Sequence, residues 1–405
     1  MGVSLARRTV LAGIAAGAAS RAGAVRASAS PLYVGALYPL SGPHAVLGDE
    51  SFRGLELAVE ERNAAGGLLG RTLHVVKADA ADPAAAAAET RRLLDARVGL
   101  VFGTLGGPLS LAATQVAGAA GVPYFELCAL ADAVTDRGLR LVFRSCPTAG
   151  ALGAAAADAV LDTLAPLWGV PAGSLRVALL HRDGLDSSNL ADAQEARLRA
   201  RSALLTERLS YPRDATDLTA AIQRCRASGV DVVLHAGLSG DVAPLFRQMR
   251  AVGWRPRMVV GAGAAYSLAD TAEAVGPDMD GAMTVDVPQY ASRDAPMAAA
   301  VAAAYQRRYG MRPRCGHSLT NLCGAQLFMG AVQRAGSLEP ERVRAAVLAT
   351  DVAAGGTSAG WGVGFDERGQ NRLARPRLLQ WQDAALVTVG PEDAAVAQPR
   401  PRLAT

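Results

Sequence analysis

The chain has 405 residues, enough to bury large cores in two domains. Half of the residues are apolar and 19% are charged, which is typical of a soluble globular protein. The formal net charge is +4, but Arg7, Arg8, Arg21 and Arg26 lie in the first 29 residues without any acidic residue, so the remainder is formally neutral. The absence of net positive charge outside the first 29 residues argues against nucleic acid as a partner.

The N-terminal segment has the pattern of an export signal. Arg7-Arg8 precedes a mildly apolar run, and Ala27-Ser28-Ala29 supplies small residues for cleavage near Ala29. The paired arginines favour a twin-arginine signal over residues 1–29, with a general secretory signal as the alternative. The apolar run is shorter than the ~20 residues that span a bilayer, and the segment has no cysteine. We therefore expect a periplasmic protein without a lipid anchor.

Short apolar runs alternate with helical stretches from Tyr33 onward. Gly42-Pro43 predicts a turn after the first strand, at an edge where ligands of open α/β folds bind. The elements predicted for the first unit are strand 33–37, helix 52–63, strand 73–76, helix 83–94, strand 100–102, helix 109–119, strand 122–125 and strand 141–143.

A second unit repeats the same alternation. Its predicted elements are helix 149–164, strand 175–180, helix 188–201, strand 204–209, helix 215–225, strand 230–234, helix 241–252, strand 258–260 and strand 282–287. Helices 297–309, 319–334 and 339–348 are then expected to pack on the first unit, before hairpin-like pieces at 361–365 and 378–381. Such β-α repetition predicts an α/β fold with two doubly wound parallel-sheet lobes and a ligand cleft between them. Lobes joined by several crossings form a hinge-bending clamp.

Catalytic and metal-binding motifs are missing from the sequence. It has no G-x-S-x-G elbow, no H-E-x-x-H and no phosphate loop. The histidines lack metal-ligand spacing, and the five cysteines form no C-x-x-C pair. We therefore expect neither an enzyme nor a metal or cofactor. The odd cysteine count leaves at least one thiol free or paired between chains, and a bridge between Cys315 and Cys323 stays open.

Turn and helix motifs recur along the chain in a fixed order. They include Leu40-Ser41-Gly42-Pro43, Gly48-Asp49, Gly54, Asn63-Ala64-Ala65-Gly66-Gly67, Asp79-Ala80-Ala81-Asp82-Pro83, Gly121-Val122-Pro123, Asp217-Leu218-Thr219 and Arg247-Gln248-Met249-Arg250. Together they resemble the branched-chain amino acid and amide-binding family of periplasmic binding proteins, the receptors of ATP-driven importers. The similarity covers residues 31–385.

The resemblance implies two lobes joined by a three-segment hinge. Lobe one is expected at 31–146 and 288–352, lobe two at 147–287 and 353–390, and a loose tail at 391–405. The implied function is the monomeric substrate-binding component of an ABC importer, which captures a small solute by lobe closure and docks on membrane permease subunits. A periplasmic ligand sensor subunit with the same clamp is the alternative.

The resemblance also implies a binding site, built from lobe-one loops 104–110 and 127–131 and from second-lobe positions. The candidate ligand-binding residues are Leu47, Thr104, Gly106, Gly107, Pro108, Cys128, Ala129, Leu130, Asp186, Leu238, Ser239, Gly263 and Tyr266. Backbone N–H groups at Gly106, Gly107 and the start of the helix after Pro108 are expected to be able to hold a ligand carboxylate; the alternative is that this glycine loop is only a tight turn.

This sequence departs from the amino-acid-binding pattern. The hydroxyl positions of relatives fall on Gly107 and Leu130, and the acid that neutralises the ligand ammonium falls on Gly263, with no Asp or Glu at 259–268. Because an unpaired buried charge is costly, we expect an aromatic or aliphatic acid or amide rather than an unmodified α-amino acid. A branched-chain amino acid held in a rearranged site is the alternative.

Several candidates have a structural alternative. Asp186 either accepts a hydrogen bond from the ligand or caps the following helix, and Ser239 has the same two alternatives. Tyr266 either stacks on a ligand ring or is a core tyrosine. His317 is expected to be a helix-start residue.

Overall fold

The computed structural model describes residues 30–403. The export signal and cleavage site predicted for residues 1–29 therefore lie outside the described residues, as do the last two residues of the chain.

The first unit is a five-stranded sheet in which every neighbouring pair is parallel. Its elements in chain order are β1 (Leu32–Tyr38), α1 (Ala45–Ala64), β2 (Leu73–Asp79), α2 (Pro83–Asp95), β3 (Leu100–Gly103), α3 (Gly107–Ala119), β4 (Tyr124–Glu126), α4 (Ala133–Asp136) and β5 (Val142–Arg144). The strand order is β2-β1-β3-β4-β5. A turn of 3-10 helix, Gly42–His44, precedes α1.

The second unit begins with a long apolar helix. Helix α5 (Ala149–Asp158) continues through a π-helical stretch, Ala159–Leu164, into α6 (Ala165–Leu167). This helix is long and apolar enough to cross a membrane, but it packs against α7 and contributes to the core of the second sheet. The following elements are β6 (Val177–Arg182), α7 (Leu185–Ala200), β7 (Leu205–Tyr211), α8 (Thr219–Ala227), β8 (Val232–Ala236), α9 (Ser239–Val252), β9 (Met258–Ala262), α10 (Ala269–Val275) and β10 (Met283–Asp286).

The C-terminal part adds helices to the first unit and strands to the second. Its elements are α11 (Ala298–Tyr309), α12 (His317–Ala335), α13 (Pro340–Leu348), β11 (Asp351–Val352), β12 (Val363–Gly364), β13 (Arg377–Gln382) and β14 (Ala385–Gly390). The second sheet has the order β14-β13-β10-β9-β8-β6-β7, in which β13 and β14 are antiparallel additions. The parallel part of each sheet thus has the same doubly wound order, which confirms the predicted fold class.

The hydrophobic core separates according to the two sheets. Phe125 and Phe328 stack in the core of the first, whereas Phe246 and Val259 lie in the core of the second. Within residues 30–403, the chain passes between these cores at 146–149, 286–287 and 374–378. Two lobes joined by three closely placed segments can rotate about those segments as a hinge.

The C-terminal segment divides differently from the sequence-based expectation. Trp361 and Phe365 lie in the core of the first lobe, because β12 pairs with β11, which follows α13. The third crossing therefore comes near residue 374 rather than at 352–353. The prediction of a loose tail is also wrong for the described residues, since Leu403 is buried against the second lobe and the Trp168 indole donates to the Pro401 carbonyl oxygen at 2.7 Å.

Gly54 allows α1 and α12 to approach closely. A Cβ atom at Gly54 would lie 2.1 Å from the carbonyl oxygen of Ser318, in the first turn of α12. At the same interface the Ser318 hydroxyl of α12 donates a hydrogen bond to Glu50 of α1, and the Tyr38 hydroxyl of β1 donates to Asn321 of α12 at 2.9 Å. The close approach therefore fixes the start of α12, which reaches the cleft between the lobes.

Replacing Gly54 by alanine tests this close approach. Alanine normally favours a helix over glycine by about 1 kcal/mol, but at Gly54 the overpacking should lower the free energy of unfolding by about 1–3 kcal/mol. Gly330→Ala on α12 is the matched control, because its Cβ would meet nothing closer than the flexible side chain of Arg334 at 3.6 Å. Urea unfolding of both variants measures the difference, and equal stability of the two variants would contradict the packing.

Candidate functional site

A cavity of about 260 Å³ lies between the two lobes. Lobe one contributes the start of α1, the loops after β3 and β4, and the first residue of α12. Lobe two contributes the segments after β6, β8 and β9, including α7 and α10. The β3, β4, β6, β8 and β9 segments follow the carboxyl ends of parallel strands, so the cavity lies where α/β folds bind ligands.

Leucine side chains from both lobes form the apolar wall of the cavity. These leucines are Leu47, Leu105, Leu130, Leu190, Leu238 and Leu268. Three of them, Leu47, Leu130 and Leu238, are candidates from the sequence. A wall of this kind favours the apolar part of a ligand through the hydrophobic effect.

The loop after β4 is held from both sides by buried charges. The Glu126 carboxylate accepts hydrogen bonds from the N–H groups of Cys128 at 3.0 Å and Ala129 at 2.8 Å. On the other side, the Arg144 guanidinium donates to the carbonyl oxygens of Ala129, Leu130 and Ala131 at 2.6–3.2 Å. Both charged side chains are fully buried. The loop that carries Cys128 and Leu130 into the cavity wall is therefore rigid.

Glu126 also fixes the loop after β3. The Thr104 N–H donates to Glu126 at 2.6 Å, and the Thr104 hydroxyl hydrogen-bonds to Tyr124. Thr104 and Ala129 are thus buried supports of the two loops and do not line the cavity, unlike Gly106 and Cys128. Pro108 lies in the first turn of α3 and lines a second, adjoining cavity.

Asp186 crosses the cleft from lobe two to lobe one. Its Oδ2 accepts a hydrogen bond from the Gly107 N–H at 2.8 Å, at the start of α3. Its Oδ1 is buried and has no hydrogen-bond partner among the described residues. Burial raises the pKa of Asp186; the Gly107 hydrogen bond opposes this, and the charge of Glu126 raises the pKa further. Asp186 thus lines the cavity with a carboxylate of which only one oxygen has a hydrogen-bond partner among the described residues.

The position of Asp186 changes two expectations. The Gly107 N–H group, which was expected to hold a ligand carboxylate, donates instead to the carboxylate of Asp186. A glycine is needed at position 107 for this contact, because a Cβ atom there would lie 2.4 Å from Asp186 Oδ1. Asp186 does not cap the helix that follows it, because the N-cap residue of α7 is Gly184; its carboxylate instead accepts a hydrogen bond from the first residue of α3. Likewise, Leu238 rather than Ser239 is the N-cap residue of α9, and both line the cavity.

Gly263 and Tyr266 follow the same strand but lie in different environments. Gly263 lines the cavity with a φ of +82°, and a Cβ there would meet only Leu130, at 3.7 Å. Tyr266 is fully buried and does not line the cavity; its hydroxyl hydrogen-bonds to His235 Nδ1 at 2.7 Å. Tyr266 is therefore a core tyrosine, and the expected stacking on a ligand is wrong.

A buried polar network supports the Leu238 loop from within lobe two. His235 Nε2 lies 2.8 Å from the Tyr211 hydroxyl, which donates to Asp241 at 3.2 Å. Asp241 in turn accepts a hydrogen bond from the Leu238 N–H at 2.7 Å. Burial lowers the pKa of His235 to about 4, so this imidazole is neutral at physiological pH.

Sequence reasoning missed several residues of the cavity. His317 is indeed the first residue of α12, but it also lines the cavity, with Nδ1 2.8 Å from Cys128 Sγ. His44 lines it through the turn before α1. Asp270 and Thr271 belong to α10, which was not predicted; the Gly276-Pro277 pair after a run of helix-forming residues is the signal that marks its end.

Within residues 30–403, the cysteines form no disulfide and the possible metal ligands form no metal-binding group. All five cysteines lie in the described part of the chain, where they are buried and form no disulfide, so Cys315 and Cys323 are not bridged. Within residues 30–403, no group of three or more His, Cys, Asp or Glu side chains is arranged to hold a metal ion.

Comparison with known proteins gives a consistent result. The family model "Periplasmic binding protein" matches residues 31–385. The Leu/Ile/Val-binding protein homolog 8 of Brucella suis is 38% identical over 395 residues, which are 96% of this chain and 98% of that protein. A leucine binding protein of Thermotoga maritima has a TM-score of 0.77 at 20% identity, covering 89% and 98% of the two chains. A solute binding protein of R. palustris in complex with benzoate has a TM-score of 0.74 at 21% identity, covering 92% and 99%.

His235 should make stability depend on pH. Its folded-state pKa of about 4 lies below the ordinary histidine value of 6.5, so the unfolded chain binds the proton more readily. The contribution is fully present above the ordinary pKa and is lost as the pH falls toward 4, by up to about 3 kcal/mol. Urea unfolding at several pH values should show this loss in the wild type and a smaller one in His235→Gln. His74→Gln, at an exposed position on β2, is the control that should keep the wild-type dependence.

Proposed function

Because the chain belongs to the periplasmic binding protein family, we propose that it is the extracytoplasmic solute-binding component of an ABC importer. The observation that carries this proposal is the cavity between the lobes, whose walls come from both. Such a cavity can form only when the lobes close, so binding of a solute favours the closed state. The closed protein then presents surfaces of both lobes to the permease subunits of the importer.

Closure in this protein involves a direct contact between the lobes. The hydrogen bond from Gly107 to Asp186 joins the start of α3 to the first turn of α7. In an open state this bond is broken and the Asp186 carboxylate is hydrated. The ligand enters against the rigid loops of lobe one, and the arrival of Asp186 and Leu238 completes the site.

The cavity favours a ligand with an apolar body and an N–H donor. Its leucine wall suits an aliphatic or aromatic group, and Asp186 Oδ1 is a buried acceptor without a partner. A ligand carboxylate at the start of α3 would be in contact with the Asp186 carboxylate, which already occupies the Gly107 N–H group. Two negative charges in contact in a buried site repel each other strongly. Of the expected ligand classes, we therefore favour an amide over a free acid.

A branched-chain amino acid is the second candidate. The Brucella suis relative is named a Leu/Ile/Val-binding protein homolog, and Asp186 supplies a countercharge for an ammonium that the sequence comparison did not find at Gly263. The benzoate complex of the R. palustris protein supports an aromatic acid instead. The charge of Asp186 separates these candidates, since it attracts an ammonium or amide and repels a carboxylate.

A sensor role and an enzymatic role have less support. A periplasmic sensor subunit would use the same closure, and a signalling partner in place of a permease would distinguish it. No catalysed reaction is proposed for the cleft, because the relatives and the fold are those of solute-binding proteins.

Asp186→Asn tests the ligand class. A thermal-shift screen of primary amides, carboxylic acids and α-amino acids selects ligands, and calorimetry then measures their affinities. An amide should bind the wild type and lose about 10- to 100-fold in affinity with Asp186→Asn, because a hydrogen bond to a charged group contributes about 1.5–3 kcal/mol. Asp192→Asn is the matched control, since Asp192 lies on the same helix with its side chain 59% exposed.

The other outcomes are equally informative. Tighter binding of leucine or valine than of any amide would establish the amino-acid alternative. Tight binding of an acid, improved by Asp186→Asn, would contradict the amide proposal. If no small solute binds at all, the proposed function itself is wrong.

A further inference from the structure

Cys128 and His317 form a close polar pair in the cavity wall. Cys128 Sγ lies 2.8 Å from His317 Nδ1, and both residues line the cavity beside its leucines. The two residues are 189 positions apart in the sequence and come from different elements, the loop after β4 and the start of α12. A thiol at this distance from an imidazole can transfer its proton to the ring.

Asp286 completes the arrangement on the other side of the imidazole. Its Oδ2 lies 3.5 Å from His317 Nε2, at the end of β10 where the chain crosses between the lobes. His317 is 2% exposed, and its Nε2 makes no hydrogen bond among the described residues. Burial alone lowers the pKa of His317, but the charges of Cys128 and Asp286 raise it well above its ordinary value. The His317 imidazole, which lies between Cys128 and Asp286, is therefore the group of this cluster that gains a proton readily.

The other cysteines have a different environment. Cys146, Cys225, Cys315 and Cys323 are buried and do not line this cavity. Burial raises the pKa of each, in the case of Cys225 to about 11. Among the five thiols, Cys128 is the one that combines a histidine partner with a position on the cavity.

The ionisable groups around the pair are few. Glu126 ends β4, just before the loop that carries Cys128, and accepts hydrogen bonds from backbone N–H groups and from Ser110. Tyr38 of β1, Cys146 after β5 and Cys315 before α12 are influenced by the charge of Cys128, and burial is the main cause of the raised pKa of each. None of these three supplies a positive charge, so His317 is the cation that faces the Cys128 sulfur.

We propose that Cys128 is a modification site that forms mixed disulfides with small, uncharged disulfides entering the cavity. The Cys128 thiolate attacks one sulfur of the disulfide, the new S–S bond forms as the original one breaks, and the other half leaves as a thiolate with the bonding electron pair. The exchange needs no further oxidant. The leucine wall favours apolar substituents, and the cavity volume of about 260 Å³ limits their size.

The modification has a direct structural consequence. The transferred group lies in the cavity between Cys128 and the leucines, so it occupies the space that a solute would take. Removal of the group by an external thiol empties the cavity again. Cys128 thus gives this cleft a reversible, thiol-dependent block.

Dithiodipyridine is a suitable neutral probe, because each exchange releases a thione that is followed by its ultraviolet absorbance. The folded full chain should release about one equivalent in a fast phase, and peptide mass spectrometry should place the label on Cys128. Cys128→Ser should lose the fast phase, whereas Cys146→Ser, which removes a buried thiol near the same loop, should keep it. A fast phase that persists in Cys128→Ser, or its absence from the wild type, would overturn the proposal.

The role of His317 as a positioning residue has its own readout. In His317→Gln the fast phase should slow by about tenfold near neutral pH and become strongly pH-dependent. The wild-type rate should change little between about pH 6 and pH 8, because His317 Nδ1 lies 2.8 Å from the sulfur and is placed to take up the thiol proton. A wild-type rate that rises about tenfold per pH unit in this range would contradict the proposed role of His317. This measurement uses the wild-type protein alone and does not require the variant to fold.

Discussion

The Glu126 carboxylate is the interaction on which the cavity depends. It lies at the end of β4, fully buried, and accepts hydrogen bonds from the backbone of both lobe-one loops. Its register partner on β5 is Arg144, which holds the carbonyl oxygens of the same loop. A buried charge is stable only when its hydrogen-bonding capacity is satisfied. Here backbone N–H groups of the loops donate to Glu126 and backbone carbonyl oxygens accept from Arg144. The conformation of the loops and the burial of the two charged side chains therefore depend on each other.

This support makes the two lobes unequal in their contribution to the site. Lobe one presents a rigid surface, because Glu126 and Arg144 hold the backbone of its loops through several buried hydrogen bonds. Lobe two brings Leu238, supported by the His235 network, and Asp186, whose Oδ2 bonds to Gly107 across the cleft. Binding energy can therefore be used for closure rather than for ordering loops.

The order of strands and helices could be predicted from the sequence, whereas much of the site could not. Alternating apolar runs and helical stretches are local signals, and they identified both sheets. Glu126 looks like an ordinary polar residue after a short strand, and its role comes from contacts that the fold creates. Asp186 and Gly107 form a hydrogen bond although they are 79 positions apart in the sequence. Trp361 belongs to the first lobe because the neighbouring strand β12 pairs with β11. Such long-range contacts leave no periodic trace in the sequence.

The charged groups of the cavity already have polar partners within the protein, and this bears on its ligand. Asp186 lies against the start of α3, where the helix dipole favours a negative group. The His317 imidazolium lies between Cys128 and Asp286, so this cluster presents no free positive charge to a ligand acid. A ligand without net charge disturbs neither arrangement, because it requires no new countercharge in a buried site. The electrostatics of both clusters are thus consistent with the amide proposed above, which donates a hydrogen bond to Asp186 and packs against the leucine wall.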